Sequence, residues 1–353
     1  MKKGNKSAWL FIFYGAITVA VLVAFLGAND FGAIFGVLAQ ANYKYVLFAL
    51  VLTLAYFVLT PLSTCVLARA RKLDVGLGTV YAIGCTEHFF NGITPFATGG
   101  QPFQMYEFSR AKIRVAESTG VLLMNFIIMM VASNAFALVS LVYFNDFIAG
   151  NVPLLIIAVI GFCMNFFVLI FMVSIATSKR VGGALISLAV WACKLPFLKG
   201  KIEGNLPKLE EYIANMQSAF KGLLKNVGAT MLALALKVIT LAVYYSITFY
   251  LLLALGVDVG YGDIFFIICG TSFAITAVVF LPTPGSAGGI EFAFGSIFSS
   301  LAGGLSQSVA TGGMLIWRLL TYYVLMLLSL AFYVGLEIYF NVKSKREREK
   351  QSV

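Results

Sequence analysis

The sequence predicts an all-α, polytopic integral membrane protein with six full spans plus two re-entrant, broken-helix hairpins in an inverted-topology repeat. Three observations support this prediction: the composition, the interruption of two apolar regions by glycine and proline, and the placement of the basic residues. Of the 353 residues, 60% are hydrophobic and 11% are charged, whereas a soluble domain has roughly 45–50% apolar and about 25% charged residues. Composition therefore excludes a soluble enzyme, a nucleic-acid-binding module and a disordered protein.

Six stretches are long enough for a membrane-crossing helix, which takes about 20 apolar residues. They are residues 8–28, 46–68, 118–144, 152–177, 228–255 and 310–338. The first follows the basic start Met1-Lys2-Lys3, but its apolar run exceeds the roughly 7–15 residues of a signal-peptide core. We therefore interpret it as a retained signal anchor.

Two further apolar regions, residues 77–109 and 263–302, are broken by glycine and proline. The interruptions are Asn91-Gly92-Ile93-Thr94-Pro95 and Gly99-Gly100-Gln101-Pro102 in the first, and Pro282-Thr283-Pro284-Gly285 and Gly288-Gly289 in the second. Because both residue types break helices, each region predicts two half-helices around an irregular turn. Such backbone is tolerated at membrane depth only where protein buries it or where it lines a watery cavity.

The basic residues orient these segments. If the N-terminus is cytoplasmic and both hairpins return to the side they entered, all but three of the 25 Lys and Arg residues fall in cytoplasmic segments. The exceptions are Lys44, which lies outside, and Lys237 and Arg318, which lie within spans. An excess of basic residues in cytoplasmic segments is the normal pattern. We therefore expect a multi-pass protein of the cell membrane with both termini in the cytoplasm.

The two interruptions share the pattern T-P-x-x-x-G-G, at residues 94–100 and 283–289. Each half of the chain runs span, span, hairpin, span, and the two halves have opposite orientations. This order is typical of alternating-access transporters, whose sites form at broken helices near the midplane. The alternative is that both interruptions are Gly-rich kinks that only help packing.

We therefore expect one membrane domain over residues 1–353, divided into two repeats. The first repeat is 1–150 and the second is 151–342, and a basic cytoplasmic tail follows at 343–353. The second repeat includes a cytoplasmic segment, 178–226, whose apolar faces and basic edges predict interfacial helices, with a helical stretch from Leu206 to Lys225.

Polar and ionisable residues inside the membrane segments are the candidate substrate-binding residues, because such residues are costly in a bilayer. In the first hairpin they are Glu87, His88, Asn91, Thr94, Thr98, Gly99, Gly100, Gln101 and Gln104. In the second hairpin they are Thr283, Gly285, Ser286, Gly288, Gly289 and Glu291, and in the spans they are Lys237 and Arg318.

Arg318 is the best single candidate for a phosphate ligand, because its guanidinium presents a planar fork of donors. Half-helix N-termini at the breaks would add positive dipole ends. Other interpretations remain open. Arg318 and Glu291 could form a structural ion pair, Lys237 could partly snorkel, and His88 could be a hydrogen-bonded cavity residue rather than a proton relay.

The sequence predicts no catalytic residue, no cofactor, no metal site and no nucleic-acid partner. His88 is the single histidine, so it cannot build a metal site by itself. Glu87 and Glu291 could suggest acid–base chemistry, but they belong to opposite halves and no nucleophile accompanies them. Coupling to protons is at least as consistent with this pair as bond chemistry.

Two segments carry a resemblance to a known family. Glu87–Gln104 contains P-F-A-T-G-G-Q-P, and Pro282–Glu291 reads P-T-P-G-S-A-G-G-I-E. Here the sequence resembles the lysylphosphatidylglycerol synthase transmembrane region family, also called the flippase-like domain, over nearly the whole chain. In the multiple peptide resistance factor, such a module is fused to a cytosolic domain that transfers an amino acid from aminoacyl-tRNA to phosphatidylglycerol. Since Val353 follows soon after the last span, we expect a stand-alone member without the aminoacyltransferase domain.

The resemblance implies a lipid translocase that moves an amphipathic lipid between leaflets by alternating access. The lipid could be a phospholipid such as lysylphosphatidylglycerol, a glycolipid or a polyprenyl-linked lipid. One alternative is a phosphatidylglycerol lysyltransferase-type membrane enzyme, or the membrane partner of a separate synthase. Another is a small-solute secondary transporter. The expected partners are membrane lipids. If the chain is the membrane partner of a synthase, a separate lipid synthase is expected as well, and assembly into a homo-oligomer is also possible.

Overall fold

A computed structural model describes residues 36, 39–94, 97–143, 152–192, 206–279, 289–290, 293–294 and 307–351 of the protein. Every regular element among these residues is helical, and none is a strand. Several of the helices are long and apolar enough to cross a membrane. The predicted all-α, polytopic membrane architecture is therefore confirmed.

The described helices are numbered α1 to α13 in chain order. In the first half they are α1 (Tyr43–Leu59), α2 (Leu62–Ala70), α3 (Leu77–Cys85), α4 (Glu87–Gly92), α5 (Gly100–Arg110) and α6 (Val115–Tyr143). In the second half they are α7 (Val152–Thr177), α8 (Lys179–Ala192), α9 (Leu206–Lys225), α10 (Val227–Ala254), α11 (Ile264–Val278), α12 (Gln307–Arg318) and α13 (Leu325–Gln351). A 3₁₀ turn, Tyr261–Asp263, precedes α11, and a π-helical stretch, Leu319–Val324, joins α12 to α13.

Six stretches of the described chain could cross a membrane by length and composition. They are Tyr43–Ala70, Val115–Val142, Leu155–Thr177, Val227–Ala254, Tyr261–Val278 and Gly312–Glu347. Five correspond to predicted spans, and the predicted span 8–28 lies outside the described residues. The other, Tyr261–Val278, was predicted as an arm of the second hairpin. It forms an uninterrupted apolar helix that accommodates Gly270, because the interruptions Pro282-Thr283-Pro284-Gly285 and Gly288-Gly289 come only after it.

The first described span bends at Thr60-Pro61, between α1 and α2. Proline has no backbone N–H to continue the helical ladder, and the turn is closed by the Thr60 N–H, which donates to the Tyr56 carbonyl at 3.0 Å. Gly84 of α3 packs directly on this bend, because a Cβ at that position would overlap the Pro61 ring. The first hairpin thus rests on the kinked span.

The first broken region is a re-entrant hairpin. Its ascending arm is α3 and α4, and its descending arm is α5. The Gln104 side chain lies 3.5 Å from the carbonyl oxygens of both Ile83 and Gly84, and the Gly100 N–H donates to Asn91 Oδ1 nearer the tip, so the arms run antiparallel. Residues before and after the hairpin, including Asp74 and Ala111, line one shared surface cavity. The chain therefore returns to the side from which it entered.

The last span is one continuous helical run from Gln307 to Gln351. It changes from α-helix to π-helix at Leu319–Val324 and then returns to α-helix. It includes most of the predicted basic tail, residues 343–353, which is helical as far as Gln351. An exposed pair between Lys112 Nζ and Glu347 Oε2, at 2.9 Å, joins this end of the helix to the loop after α5.

Two apolar clusters are stacked along the length of the bundle. One includes Phe249, Phe273 and Trp317. The other includes Phe108 and Phe220 and lies near the loops that carry the basic residues. We call that side of the molecule the basic end. Helix α9 packs its buried face on α6 at this end, and its bounds are those that the sequence predicted.

Candidate functional site

A cavity of about 190 Å³ lies between the tip of the first hairpin, α10, α11 and the last span. Its lining includes His88, Asn91, Ala97, Tyr244, Ile290, Trp317, Arg318 and Tyr322. The Tyr244 ring contacts that of Tyr56, which stands at the middle of the span Tyr43–Ala70, with centroids 4.5 Å apart. The cavity is therefore near mid-depth in the bundle, where the sequence predicted a site.

Arg318 is the cation of this cavity. Only 4% of the residue is exposed, and its guanidinium lies 5.6 Å from the centre of the Tyr322 ring, within the range of a cation–π contact. It is the last residue of α12, immediately before the π-helical stretch. Because π-helical turns are rare and often mark functional sites, the helix geometry and the charge point to the same position.

The hairpin tip is built by side chains that hold the backbone of the turn. The Thr94 hydroxyl oxygen accepts a hydrogen bond from the Gly99 N–H at 2.8 Å, and the Asn91 carboxamide oxygen accepts one from the Gly100 N–H at 2.8 Å. Ala97, between them, has a φ of 51°, which is uncommon for a residue with a side chain. The described residues of the T-P-x-x-x-G-G motif, Thr94 and 97–100, thus form a turn at the beginning of α5.

Both glycines of this motif are required by close approach. A Cβ at Gly99 would lie 2.6 Å from the Phe90 carbonyl oxygen, and a Cβ at Gly100 would lie 2.7 Å from the Asn91 Oδ1. Side chains at these positions would push α5 away from α4. The glycines therefore allow the two arms to meet beside the cavity.

His88 faces the cavity from the ascending arm. Its ring centroid lies 5.3 Å from that of Tyr56 and 6.0 Å from that of Phe57. The buried Nε2 atom has no hydrogen-bond partner within the described ranges. Among the described residues, no protein group therefore supplies the hydrogen bond at Nε2 that the interpretation of His88 as a hydrogen-bonded cavity residue requires.

Lys237 and Glu87 lie beside the cavity without lining it. Lys237 is 4% exposed, so it does not snorkel, and its Nζ donates to the Thr60 carbonyl at 3.3 Å. Glu87 is within Coulombic reach of that ammonium group and lies 3.5 Å from the Asn91 carboxamide nitrogen. Lys237 thus supports the proline bend by its bond to Thr60.

The remaining candidates of the first hairpin differ in position. Gln104 is buried between the arms and contacts backbone carbonyls there. Gln101 is half-buried and Thr98 is exposed at the tip, and neither lines the cavity. They contribute to the hairpin or to its exposed surface.

Most candidates of the second hairpin lie outside the described residues. These are Thr283, Gly285, Ser286, Gly288 and Glu291, so the predicted pair between Arg318 and Glu291 stays a prediction. Gly289, the last residue of the second motif, is described as helical and half-buried, and the next residue, Ile290, lines the cavity. The same cavity is therefore lined by Ala97, within the first motif, and by Ile290, directly after the second.

Sequence reasoning missed the aromatic wall of the site. The Tyr244 and Trp317 rings lie 5.8 Å apart, and Phe294 lies 4.8 Å from Trp317. Tyr322 donates from its hydroxyl to the Gly92 carbonyl at 2.7 Å, which fastens the last span to the hairpin tip. With 14% aromatic residues in the chain, no local signal marked these positions.

Chemically, the site combines a buried guanidinium, an imidazole, a carboxamide and aromatic faces. Among the described residues, no group of three or more His, Cys, Asp or Glu side chains is placed to hold a metal ion. The donors suit the recognition of an oxyanion such as phosphate.

A family model described as "Lysylphosphatidylglycerol synthase TM region" matches residues 11–329. The chain belongs to this family. The match includes both T-P-x-x-x-G-G motifs and Arg318, which confirms the resemblance seen in the sequence. No curated protein matches the chain. The lysylphosphatidylglycerol synthase TM region is a membrane domain of lipid metabolism, so this multi-pass membrane protein has a function related to membrane lipids.

Proposed function

We propose that the protein moves an amphipathic lipid between the two leaflets, with the polar headgroup passing through the mid-depth cavity and the tails remaining in the bilayer. The observation that carries this proposal is the position of Arg318, a buried cation that lines a cavity between the first hairpin tip and the last span. A guanidinium binds phosphate through two parallel hydrogen bonds. The substrate is therefore a phosphate-containing lipid, with lysylphosphatidylglycerol, a glycolipid phosphate and a polyprenyl phosphate as the candidates.

The size of the cavity supports a headgroup rather than a whole lipid. At about 190 Å³ it is smaller than the roughly 300–1,000 Å³ usual for pockets that enclose a complete organic ligand. The acyl or prenyl chains would have to stay outside it. A substrate whose headgroup lies in the cavity and whose chains lie outside it is a lipid rather than a freely diffusing solute.

The two motifs support an alternating-access mechanism. Both bring the chain to the cavity, which is lined by Ala97 within the first motif and by Ile290 directly after the second. In an inverted repeat, the two halves exchange conformations and expose a fixed site to each side in turn. Under this proposal the basic end faces the cytoplasm, as the excess of basic residues there favours.

The proposal is tested with purified protein in vesicles that contain a fluorescent phosphatidylglycerol analogue. A membrane-impermeant reductant added outside destroys the outer-leaflet label, and translocation exposes the inner-leaflet label. Arg318→Lys keeps the charge but loses the bidentate fork, so it should slow the loss of fluorescence, and Arg318→Gln should slow it further. Arg114→Gln changes an exposed arginine at the basic end and serves as the matched control.

Wild-type rates for both Arg318 variants would overturn the phosphate role. If Arg318 is instead half of a structural pair with Glu291, each single variant should lower thermal stability, and the Arg318→Gln, Glu291→Gln double variant should recover both stability and rate. Stable, slow single variants that the double variant does not rescue would support the proposal.

A further inference from the structure

A second cavity lies at the basic end of the bundle, away from the site described above. It measures about 630 Å³, is open on one side, and lies between α8, α9 and Arg71, which directly follows α2. This volume is within the range of roughly 300–1,000 Å³ typical of ligand pockets. The proposed translocation does not require it, so it calls for an explanation of its own.

The lining of this cavity is strongly cationic. Arg71, Lys179, Lys221 and Lys225 face it, and Glu210 is the one carboxylate among its lining residues. Among the lining residues the cations exceed the acids by three, and by two when Glu117, which pairs with Arg71, is counted, in a concave surface where their fields add. Such a surface attracts an anion.

Arg71 is held in place to receive it. Glu117 Oε2 accepts hydrogen bonds from Arg71 Nε at 3.1 Å and from Nη2 at 2.7 Å. The third nitrogen, Nη1, lies over Gly222, where a Cβ would be only 2.6 Å away. No hydrogen bond to a described residue uses Nη1. Glu117 thus fixes the orientation of the guanidinium, and Gly222 leaves room for its remaining edge in the cavity.

The walls of the cavity are also fixed. Gln217, which is 7% exposed, donates from its side-chain nitrogen to the Ile175 carbonyl at 2.8 Å and to the Ser178 carbonyl at 3.1 Å. These bonds tie α9 to the end of α7 and to the beginning of α8. The cavity is therefore formed before any ligand binds, which lowers the conformational cost of binding.

Exposed apolar side chains lie on α8, which lines this cavity, and on the adjoining α7. Leu188 and Trp191 are exposed on α8, and Phe167 and Ile170 are exposed on α7, the helix that leads into α8. A soluble anion would make no use of these side chains, whereas acyl chains would pack on them. Basic pockets beside membrane helices bind the headgroups of anionic lipids.

We propose that the cavity between α8 and α9 is a binding site for the phosphate headgroup of an anionic phospholipid, with the acyl chains lying on the exposed apolar faces of α7 and α8. Arg71 would donate from Nη1 to the phosphate, and the three lysines would complete the charge. This site is separate from the mid-depth cavity and does not depend on Arg318.

The test measures the thermal unfolding midpoint of the full-length protein in a neutral detergent during titration with phosphatidylglycerol or phosphatidylcholine. Phosphatidylglycerol should raise the midpoint at concentrations where phosphatidylcholine does not. The variant Lys179→Gln, Lys225→Gln removes two exposed cations of the cavity, and its half-maximal shift should require at least about tenfold more phosphatidylglycerol. The control variant, Lys208→Gln, Lys345→Gln, removes the same charge from exposed positions outside the cavity and should behave as the wild type.

Three outcomes would overturn the proposal. One is an equal response of the cavity variant and the wild type, and another is an equal loss in the control variant, which would show a general charge effect. The third is a midpoint shift with glycerol phosphate that matches the shift with phosphatidylglycerol, because the ligand would then be a soluble phosphate. None of these outcomes depends on transport activity, so they are distinguishable from failure of the translocation proposal.

Discussion

Arg110 and Glu337 form a two-point ion pair across 227 positions of the chain. Nη1 of Arg110 lies 2.5 Å from one carboxylate oxygen of Glu337, and Nη2 lies 3.2 Å from the other. Nη1 is also 3.1 Å from Oε1 of Glu107, whose side chain is fully buried. The guanidinium lies 4.7 Å from the centre of the Phe340 ring. One cation therefore joins the descending arm of the first hairpin to α13 and neutralises parts of two carboxylates.

This arrangement predicts unequal effects of removing its members. Arg110→Gln leaves two acidic groups close together in a mostly buried place, and should lower the free energy of unfolding by about 3–5 kcal/mol. Glu337→Gln should cost less, because Arg110 keeps Glu107 as its partner. Thermal unfolding in detergent measures both.

The control is the exposed pair of Lys112 and Glu347, whose side chains are 73% and 43% exposed. Lys112→Gln should cost less than about 1 kcal/mol. Equal losses of stability in Arg110→Gln and Glu337→Gln would contradict the bridging role of Arg110.

Close packing at the hairpin tip predicts that any side chain at position 99 destabilises the protein. In Gly99→Ala the new methyl group would meet the backbone carbonyl of Phe90 at 2.6 Å, and a backbone atom cannot move away as a flexible side chain can. We expect a destabilisation of about 1–3 kcal/mol and slower lipid translocation, with the protein still inserted in the membrane.

Gly78 supplies the matched comparison for this substitution. It lies within α3 of the same hairpin, and a Cβ there would meet no atom within 4 Å. Gly78→Ala should therefore be neutral or stabilise the protein by up to about 1 kcal/mol, since alanine favours the helix. If both substitutions had the same effect on the melting temperature, the close contact at Gly99 would be irrelevant.

The Thr94 hydroxyl is expected to stabilise the turn. Thr94→Val keeps the shape of the side chain but removes the acceptor of the Gly99 N–H bond. An unpaired donor in a half-buried place should cost about 1–3 kcal/mol. The measurement is again the unfolding midpoint in detergent.

Thr248→Val makes the same chemical change at a position where the hydroxyl makes no hydrogen bond to a described residue. Thr248 is 4% exposed, and its hydroxyl has no hydrogen-bond partner in the described part of the chain. Removing that hydroxyl should leave stability unchanged or raise it slightly. A Thr94→Val variant as stable as Thr248→Val would show that the turn is held by other contacts.

The re-entrant path of the first hairpin predicts the labelling of its two ends. In a variant in which Cys65, Cys85, Cys163, Cys193 and Cys269 are all replaced, single cysteines are introduced at the exposed positions Asp74, Arg114 and Asp258. An impermeant maleimide should label positions 74 and 114 from the same side of the membrane. Position 258, at the opposite end of α10 from the basic end, should be labelled from the other side. Labelling of 74 and 114 from opposite sides would make the hairpin a full crossing.

The amino-acid sequence determined the class of the protein and the positions of its breaks. Apolar composition and the run lengths predicted an all-α, polytopic membrane protein, because a chain with 60% hydrophobic residues must place its helices in lipid. Glycine and proline act on the backbone locally, so a break was correctly predicted where Thr94 and residues 97–100 form the turn before α5. The amphipathic stretch Leu206–Lys225 was also predicted with the observed bounds.

Local signals were weaker for the arm Tyr261–Val278. The break that follows it led to its assignment as half of a hairpin, yet the helix is itself long enough to cross a membrane. The length of a helix and its distance from the next break can both be read from the sequence. The depth at which the helix ends in the membrane depends on the helices it packs against, which are here α6, α7 and α10.

The tertiary structure alone decided which polar groups meet. Arg318, His88 and Asn91 line one cavity, while Lys237 supports the bend at Pro61 by its bond to Thr60. All four are polar residues in apolar surroundings, and their sequence contexts do not distinguish a cavity from a buried structural contact. Likewise, nothing local indicates that Arg110 pairs with Glu337 or that Tyr322 binds the Gly92 carbonyl. These partners lie more than 200 positions apart, and only the packing of the helices brings them within hydrogen-bond distance.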